Sequence, residues 1–274
     1  MHIVIISGSR SEYGLLQPLL VELRKGDPWA ELIRLDEECF ANSDTREGTC
    51  SSMGLVMMKL PRLLTEVKYD KVVVLGDRFE ILSAACCAYT LGIPISHIEG
   101  GDTTLGSLDE GYRRAIRCLA SEHYDVEKFG SLACVMPEIR YNAEQYEFVF
   151  CYHPWNGDWR KEFSRLLDWY MCYQLSPQGG KGVFITANKD AGGKWINSQY
   201  EKLGIEPRGF DRQTYLSILA KARFIVGNSS SGLIEAPMLK VPTFNVGDRQ
   251  KGRLRGPSVY EGYGDPDIIL PAIT

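Results

Sequence analysis

Gly227-Asn228-Ser229-Ser230-Ser231-Gly232-Leu233-Ile234-Glu235-Ala236-Pro237 follows the apolar run Phe224-Ile225-Val226 and leads into a segment expected to be helical to Leu239. The run reads as a buried strand, so a strand stops, a loop of small hydroxyl residues follows, and a helix begins. The first N–H groups of a helix have no internal partner, and the helix dipole is positive there. Glycines at both edges let the backbone approach a bulky anion, and three hydroxyls add donors. One Ser at a helix start would be a cap; the whole cluster points to phosphate. Glu235 lies about 1.7 helical turns after Ser229. It is either an acceptor for ligand hydroxyls such as a ribose diol or a solvated helix carboxylate.

Working outward, the same alternation recurs. His2 to Ile6 reads as a buried strand running into Ser7-Gly8-Ser9-Arg10-Ser11-Glu12-Tyr13-Gly14, with leucines at helical spacing from Leu15 to Lys25. Leu32 to Leu35 is a second strand candidate, residues 36 to 56 carry no clear pattern, and a short helix is expected over Leu60 to Val67. Val72-Val73-Val74-Leu75 is a β-branched run ending at Gly76-Asp77-Arg78. A helix over Phe79 to Leu91 follows, then a strand over Ile93 to Ile98 closing on Glu99-Gly100-Gly101-Asp102, a helix over Glu110 to Ser121 and a short strand at His123 to Val126. Phe148 to Tyr152 opens a second series, followed by His153-Pro154. It continues with a helix over Asp158 to Tyr173, a strand over Gly182 to Thr186, a helix over Asp211 to Lys221 and a strand over Pro242 to Val246. Such alternation specifies an α/β parallel sheet. Two halves, 1–143 and 144–274 with a linker at 136–146, imply two Rossmann-like domains, with ligands at the carboxyl ends of the strands and the active site in the interdomain cleft.

The totals exclude other classes. The chain has 274 residues, 44% hydrophobic and 24% charged, with net charge −4. No nucleic-acid or anionic-membrane signature appears, and no apolar run approaches the ~20 residues of a membrane span. Met1-His2-Ile3-Val4-Ile5-Ile6 lacks the basic region and length of a signal peptide, so a cytoplasmic protein is expected. The eight cysteines show no Cys-x-x-Cys spacing, and the four His no His-x-x-x-His pair. Cys39, Cys86, Cys87, Cys118 and Cys151 read as small buried thiols, not as disulfide or zinc ligands.

Polar residues cluster where strands end. Arg10 is a phosphate clamp or a surface Arg. Asp77, Glu99 and Asp109 follow strands or open a helix in the first half, and crowded carboxylates raise one another's pKa, so that one can serve as acid and another as base. Each alone would be structural. His153 is a base, a phosphate contact or a core histidine. Asn188 and Asp190 sit on a glycine-rich turn that an Asx-turn would also explain. Arg78, Arg113 and Arg249 are secondary candidates, the last within the basic loop Arg249-Gln250-Lys251-Gly252-Arg253.

Taken together, Gly8 to Gly14, Gly76 to Glu80, His97 to Asp102 continuing through Gly106-Ser107-Leu108-Asp109, Asn188 to Gly192, and Gly227 to Pro237 with Gly247 to Arg253 resemble the hydrolysing UDP-N-acetylglucosamine 2-epimerases of the sialic-acid-pathway type. The resemblance implies a GT-B-like pair of Rossmann-like domains with UDP held mainly by the second. It implies Asp77, Glu99, Asp109 and His153 as catalytic residues, and Arg10, Ser229, Ser230, Ser231 and Glu235 as UDP-binding residues. The implied reaction eliminates UDP through 2-acetamidoglucal and hydrates it to N-acetylmannosamine, with no metal and no cofactor. A UDP-sugar substrate and a homo-oligomer, dimer or tetramer, are the implied partners. The alternatives are the same reaction on a modified sugar such as UDP-diacetylbacillosamine, an inactive UDP-sugar-binding protein, and a GT-B glycosyltransferase, which would need no carboxylate base at C2. The chain departs from the family in its shortened early segment, linker region and C-terminal end, and in one extra residue between Glu99 and Asp109.

Overall fold

Ile3-Val4-Ile5-Ile6 is apolar on both faces, as a strand covered on both sides must be, and it forms the fully buried β1 (Ile3–Ser7). The computed structural model that shows this describes residues 1–35, 43–101, 103–140, 142–177 and 179–262, excluding the side chains of Arg10 and Ser11. After β1 come α1 (Arg10–Gly26), β2 (Glu31–Arg34), α2 (Arg46–Glu66), β3 (Lys71–Leu75), α3 (Phe79–Thr90), β4 (Ile95–Ile98), α4 (Asp109–Leu119), β5 (Glu122–Tyr124), the short α5 (Val126–Phe129) and a 3₁₀ turn at Leu132–Cys134. The strands form one parallel sheet in the order β2-β1-β3-β4-β5. Alternate residues go to opposite layers: Val4, Ile6, Val72 and Val74 face α2 and α3, whereas Ile3, Ile5, Val73 and Leu75 face α1. Each fully buried aliphatic side chain contributes about 1.5–3 kcal/mol relative to exposure.

The second series is β6 (Phe148–Cys151), α6 (Trp159–Leu175), β7 (Gly182–Phe184), α7 (Gly193–Lys202), α8 (Arg212–Leu219), β8 (Phe224–Gly227), α9 (Ser230–Leu233), α10 (Glu235–Met238), β9 (Thr243–Val246) and β10 (Val259–Gly262). These strands too are all parallel, in the order β10-β9-β8-β6-β7. One layer is aromatic: Phe148 stacks on Phe224 at 5.4 Å between centroids and Phe150 on Phe184 at 4.7 Å, with Phe163, Trp169, Tyr173 and Tyr200 packed over them. The two sheets are two Rossmann-like domains. Strand order reverses between β1 and β3 in the first and between β6 and β8 in the second, and such switch points are where open α/β sheets bind ligands.

The division between units falls at Val135/Met136, before the expected 143/144, and the second unit also takes in Thr104–Ser107. The reason is apolar: Met136, Ile139, Ala143 and Tyr146 pack on Val149, Cys151 and Ile225, so the supposed linker is part of a core. Residues 104–107 are held in that unit by backbone bonds, Leu105 N–H to Lys251 O at 3.0 Å and Asn156 N–H to Gly106 O at 3.3 Å. A β-carbon on Gly106 would lie 2.1 Å from Asp248 O, so the close approach requires glycine.

Several elements differ from expectation. The helix expected from Leu15 begins at Arg10, because Ser9 and Glu12 form a reciprocal capping box. Helix α2 begins at Arg46, long before Leu60. Thr45 caps it, and its buried stripe of Gly48, Ser52, Val56, Leu60 and Leu64 starts with small residues that hide the period. The helix expected after the serine loop is two four-residue turns broken at Ile234. Helix α7 and strand β10 were not foreseen. Cys87 and Cys151 are buried as expected and Cys86 is half-buried, but Cys118 is exposed on α4; Cys39 lies outside the described residues.

Candidate functional site

The first sheet presents its carboxylates where β3 and β4, paired through Leu75 and Ile98, come to an end. Gly76 takes φ +77 after β3. Its N–H bonds Ile98 O at 3.0 Å, and its carbonyl accepts the Nε2–H of His97 at 2.6 Å. His97 is fully buried, and burial pushes its pKa down to about 4. It is therefore a neutral core histidine that locks the ends of β3 and β4 together. Asp77, next along, accepts from Nη2 of Arg113, which also bonds Glu110 at 3.3 Å. Arg113 is 2% exposed and lies one turn beyond Asp109, the first residue of α4.

Glu99 has φ 59, in the left-handed region that non-glycine residues seldom enter. Such strain persists where the surroundings over-determine it, and it clusters at functional sites. Here one carboxylate oxygen accepts from Ser131 Oγ and from Leu132 N–H, both at 2.7 Å. Ser131 was missed in the sequence, because only the 3₁₀ turn carries it to Glu99. Arg78 is tied to Glu80 at 2.6 Å. Arg10 opens α1, and its side chain lies outside the described residues.

In the second sheet, Gly227 has φ +137, and a β-carbon there would meet Cys151 O at 2.0 Å. β6 and β8 can close on each other only with glycine at this point. The next residue, Asn228, is fully buried and bonded on every side. Its N–H donates to Cys151 O at 3.1 Å, its Oδ1 accepts from His153 N–H at 2.7 Å, and its Nδ2 donates to His153 O at 2.8 Å. Its carbonyl accepts from Arg249 Nη1 at 3.1 Å and Gln250 Nε2 at 2.8 Å. Asn228 thus holds His153 and the basic loop at the β6/β8 switch point. It stands within the quoted motif, but its bonds run to residues about 75 and 22 positions away, which the motif does not show. The Nδ1 of His153 accepts Asn188 N–H at 3.2 Å, so in the neutral ring the proton belongs on Nε2, which lies 3.6 Å from Cys151 Sγ. Burial pushes the Cys151 thiol up to about 11, so it stays a neutral neighbour.

The hydroxyl cluster divides. Ser229 caps α9, accepting from Ser231 N–H at 3.3 Å, and Ser230 is half-buried beside it. Ser231 faces inward, accepting from Tyr215 at 2.9 Å and bonding Glu235. Glu235 also pairs with Arg212 at 3.2 Å, both side chains nearly buried. Burial pushes the Glu235 carboxyl up, against Ser231 and Arg212, which pull it down. Asn188 Nδ2 donates to the Asp190 carboxylate, a side-chain pair within the turn and not the side-chain-to-backbone bond of an Asx-turn. Among the described residues no three His, Cys, Asp or Glu side chains gather as metal ligands, and no helix is long and apolar enough to cross a membrane.

Asn228→Ala is expected to strand the His153 N–H and carbonyl, at about 1–3 kcal/mol for each buried group left unpaired. Urea unfolding measures the loss, and ¹⁵N shifts of the His153 ring should place its proton on Nε2 in the parent and show a tautomer mixture in the variant.

The UDP-N-acetylglucosamine 2-epimerase family model matches residues 24–128 and 133–274. The chain is 27% identical to polysialic acid biosynthesis protein P7 of Escherichia coli, over 99% of this chain and 85% of that one. It is 31% identical to the hydrolysing GDP/UDP-N,N'-diacetylbacillosamine 2-epimerase of Campylobacter jejuni, over 80% of this chain and 67% of that one. Its fold is shared with the UDP-GlcNAc 2-epimerase of Neisseria meningitidis solved with UDP-GlcNAc, with TM-score 0.74, 15% identity and coverage of 99% and 90%. With nine-tenths of its length matched and its two Rossmann-like domains in common with GT-B-like relatives, this chain belongs to the UDP-N-acetylglucosamine 2-epimerase family.

Proposed function

We propose that the protein is a hydrolysing UDP-N-acetylglucosamine 2-epimerase, converting UDP-GlcNAc and water to N-acetylmannosamine and UDP. The observation that carries the reading is Glu99: a carboxylate in left-handed backbone at the end of β4, with one oxygen held in place by Ser131 Oγ and Leu132 N–H. A carboxylate takes the proton from C2 of the sugar, the C1–O bond breaks, and its electrons leave with UDP as the C1–C2 double bond forms. Water then adds its oxygen to C1, while C2 is reprotonated on the opposite face. Asp77, Glu99 and Asp109 supply the acid and base. His153, with its proton on Nε2, faces the leaving diphosphate, whose developing charge is stabilised by Ser229, Ser230, Arg10 and Arg249. Glu235 meets the ribose, with Ser231 and Arg212 holding it in place. The steps are redox-neutral, so no redox cofactor enters. We further expect a cytoplasmic homo-oligomer.

A second reading, the same reaction on a UDP-diacetylbacillosamine-type sugar, is favoured by the 31% identity to the diacetylbacillosamine enzyme. Incubation with each UDP-sugar in heavy water, followed by proton NMR, tests both. Release of UDP with the C2-deuterated, epimerised sugar identifies the substrate; retention of UDP-sugar in both incubations refutes both.

A further inference from the structure

The turn before α1 covers a cluster that the proposed chemistry does not use. Glu12 is 7% exposed and Glu80 1%. Oε2 of Glu12 accepts from Gly8 N–H at 2.8 Å and Ser9 N–H at 3.0 Å. Oε1 of Glu80 accepts from Arg78 Nε at 2.6 Å, and its Oε2 is buried without a hydrogen-bond partner among the described residues. A β-carbon on Gly8 would lie 2.2 Å from Glu80 Cγ, so Glu80 presses on the turn itself. Among the described residues, the charged groups acting on Glu12 are Glu80 and Arg78. Two buried carboxylates facing one guanidinium would leave a net negative charge and an acceptor oxygen with no donor, both unfavourable away from water.

We infer that Glu12 and Glu80 hold one proton between them, donated by Glu12 to Oε2 of Glu80, and that this pair is a positioning device that fixes the Gly8–Ser9 turn and the Arg78 guanidinium at the β1/β3 switch point. Burial first, and the charge of Glu80 second, push the Glu12 carboxyl from 4.5 up to about 8, against Arg78 and the two backbone N–H groups. The folded state therefore keeps a proton that the unfolded chain releases near 4.5. The associated stability is fully present below that pH and is lost as pH rises through about 8. Above it, two carboxylates compete for Arg78, and negative charge gathers where an anionic ligand would approach. The proton stands independently of the reaction; its bearing on UDP rests on the proposed function.

The test uses the whole chain with ¹³C-labelled glutamate. One side-chain carboxyl is expected to titrate near 8, to vanish in Glu12→Gln, whose amide mimics the protonated acid, and to move acidward by more than one pH unit in Glu80→Gln. Absence of any glutamate titrating above pH 6.5 overturns the shared proton. Urea midpoints from pH 5 to 8.5 should fall in the parent relative to Glu12→Gln; parallel curves also overturn it. UDP affinity by calorimetry should weaken about tenfold between pH 6.5 and 8.5 in the parent and stay level in Glu12→Gln. Equal pH dependence in both overturns the positioning role. Failure of both proteins to bind UDP at either pH instead refutes the functional reading, while the NMR and unfolding data still decide the proton.

Discussion

Glu99→Gln is expected to lower turnover by about 10³-fold while UDP binding stays within a factor of two or so, because a positioned general acid or base contributes typically 10²–10⁴-fold. The substitution is a clean one. The amide oxygen of Gln can accept the same bonds from Ser131 and Leu132 that now anchor the carboxylate. The left-handed backbone at this position is as costly for Gln as for Glu, so stability should change little. What is removed is the negative charge and basicity of the carboxylate. Calorimetry with UDP and a deuterium-incorporation assay at sugar C2 separate the two quantities. Turnover within tenfold of the parent removes Glu99 from the mechanism, and loss of UDP binding makes its role structural.

Arg113→Met is expected to lower stability by about 3 kcal/mol and to abolish turnover. Arg113 is 2% exposed and joins Asp77 on the turn after β3 to Glu110 on α4. Met preserves much of the length and apolar stem but leaves the two carboxylates facing each other without their shared cation. Removing one partner of a buried ion pair costs about 3–5 kcal/mol. The lower figure applies here, because Asp77 and Glu110 keep 17% and 14% side-chain exposure and Glu110 retains Arg114 at 2.9 Å. Arg113→Lys restores the charge but not the two-pronged geometry, and should fall between. Urea unfolding gives the stability, and activity of the fraction still folded gives the effect on Asp77. A loss under 1 kcal/mol would mean that the bond to Asp77 does not hold α4 to the sheet.

The alternation of β-branched runs with leucine-spaced segments was enough to anticipate both parallel sheets, since a strand buried on both faces must be apolar throughout. The polar strand ends were legible for the same reason: a charged residue placed directly after such a run has to lie beyond the strand's buried part, at its carboxyl end. Helix α2 was not legible, because its buried stripe begins with Gly48 and Ser52, and small residues carry no hydrophobic signal. The stretch 136–146 misled in the opposite sense. Its polar composition suggested a linker, yet Met136, Ile139 and Ala143 recur about every third or fourth residue and pack on a core.

The site shows the same division. The residue types proposed to bear chemistry, the carboxylates after β3 and β4 and the serine turn after β8, stand in the sequence because the proposed roles depend on chemical identity at a strand end. Which of them are committed to partners could be decided only by folding. Ser131 reaches Glu99, Arg113 reaches Asp77, Asn228 seizes His153, and Ser231 turns away from the loop to hold Glu235. All but the Ser231–Glu235 pairing join residues more than thirty apart in the chain, and hydrogen bonds carry no mark in sequence until the fold brings their ends within about 3 Å. The sequence by itself determined the α/β class, the strand edges and the chemical groups on them. The tertiary structure decided which Glu99 oxygen is anchored and which acids are buried beside which partners, because these depend on neighbours that only packing supplies.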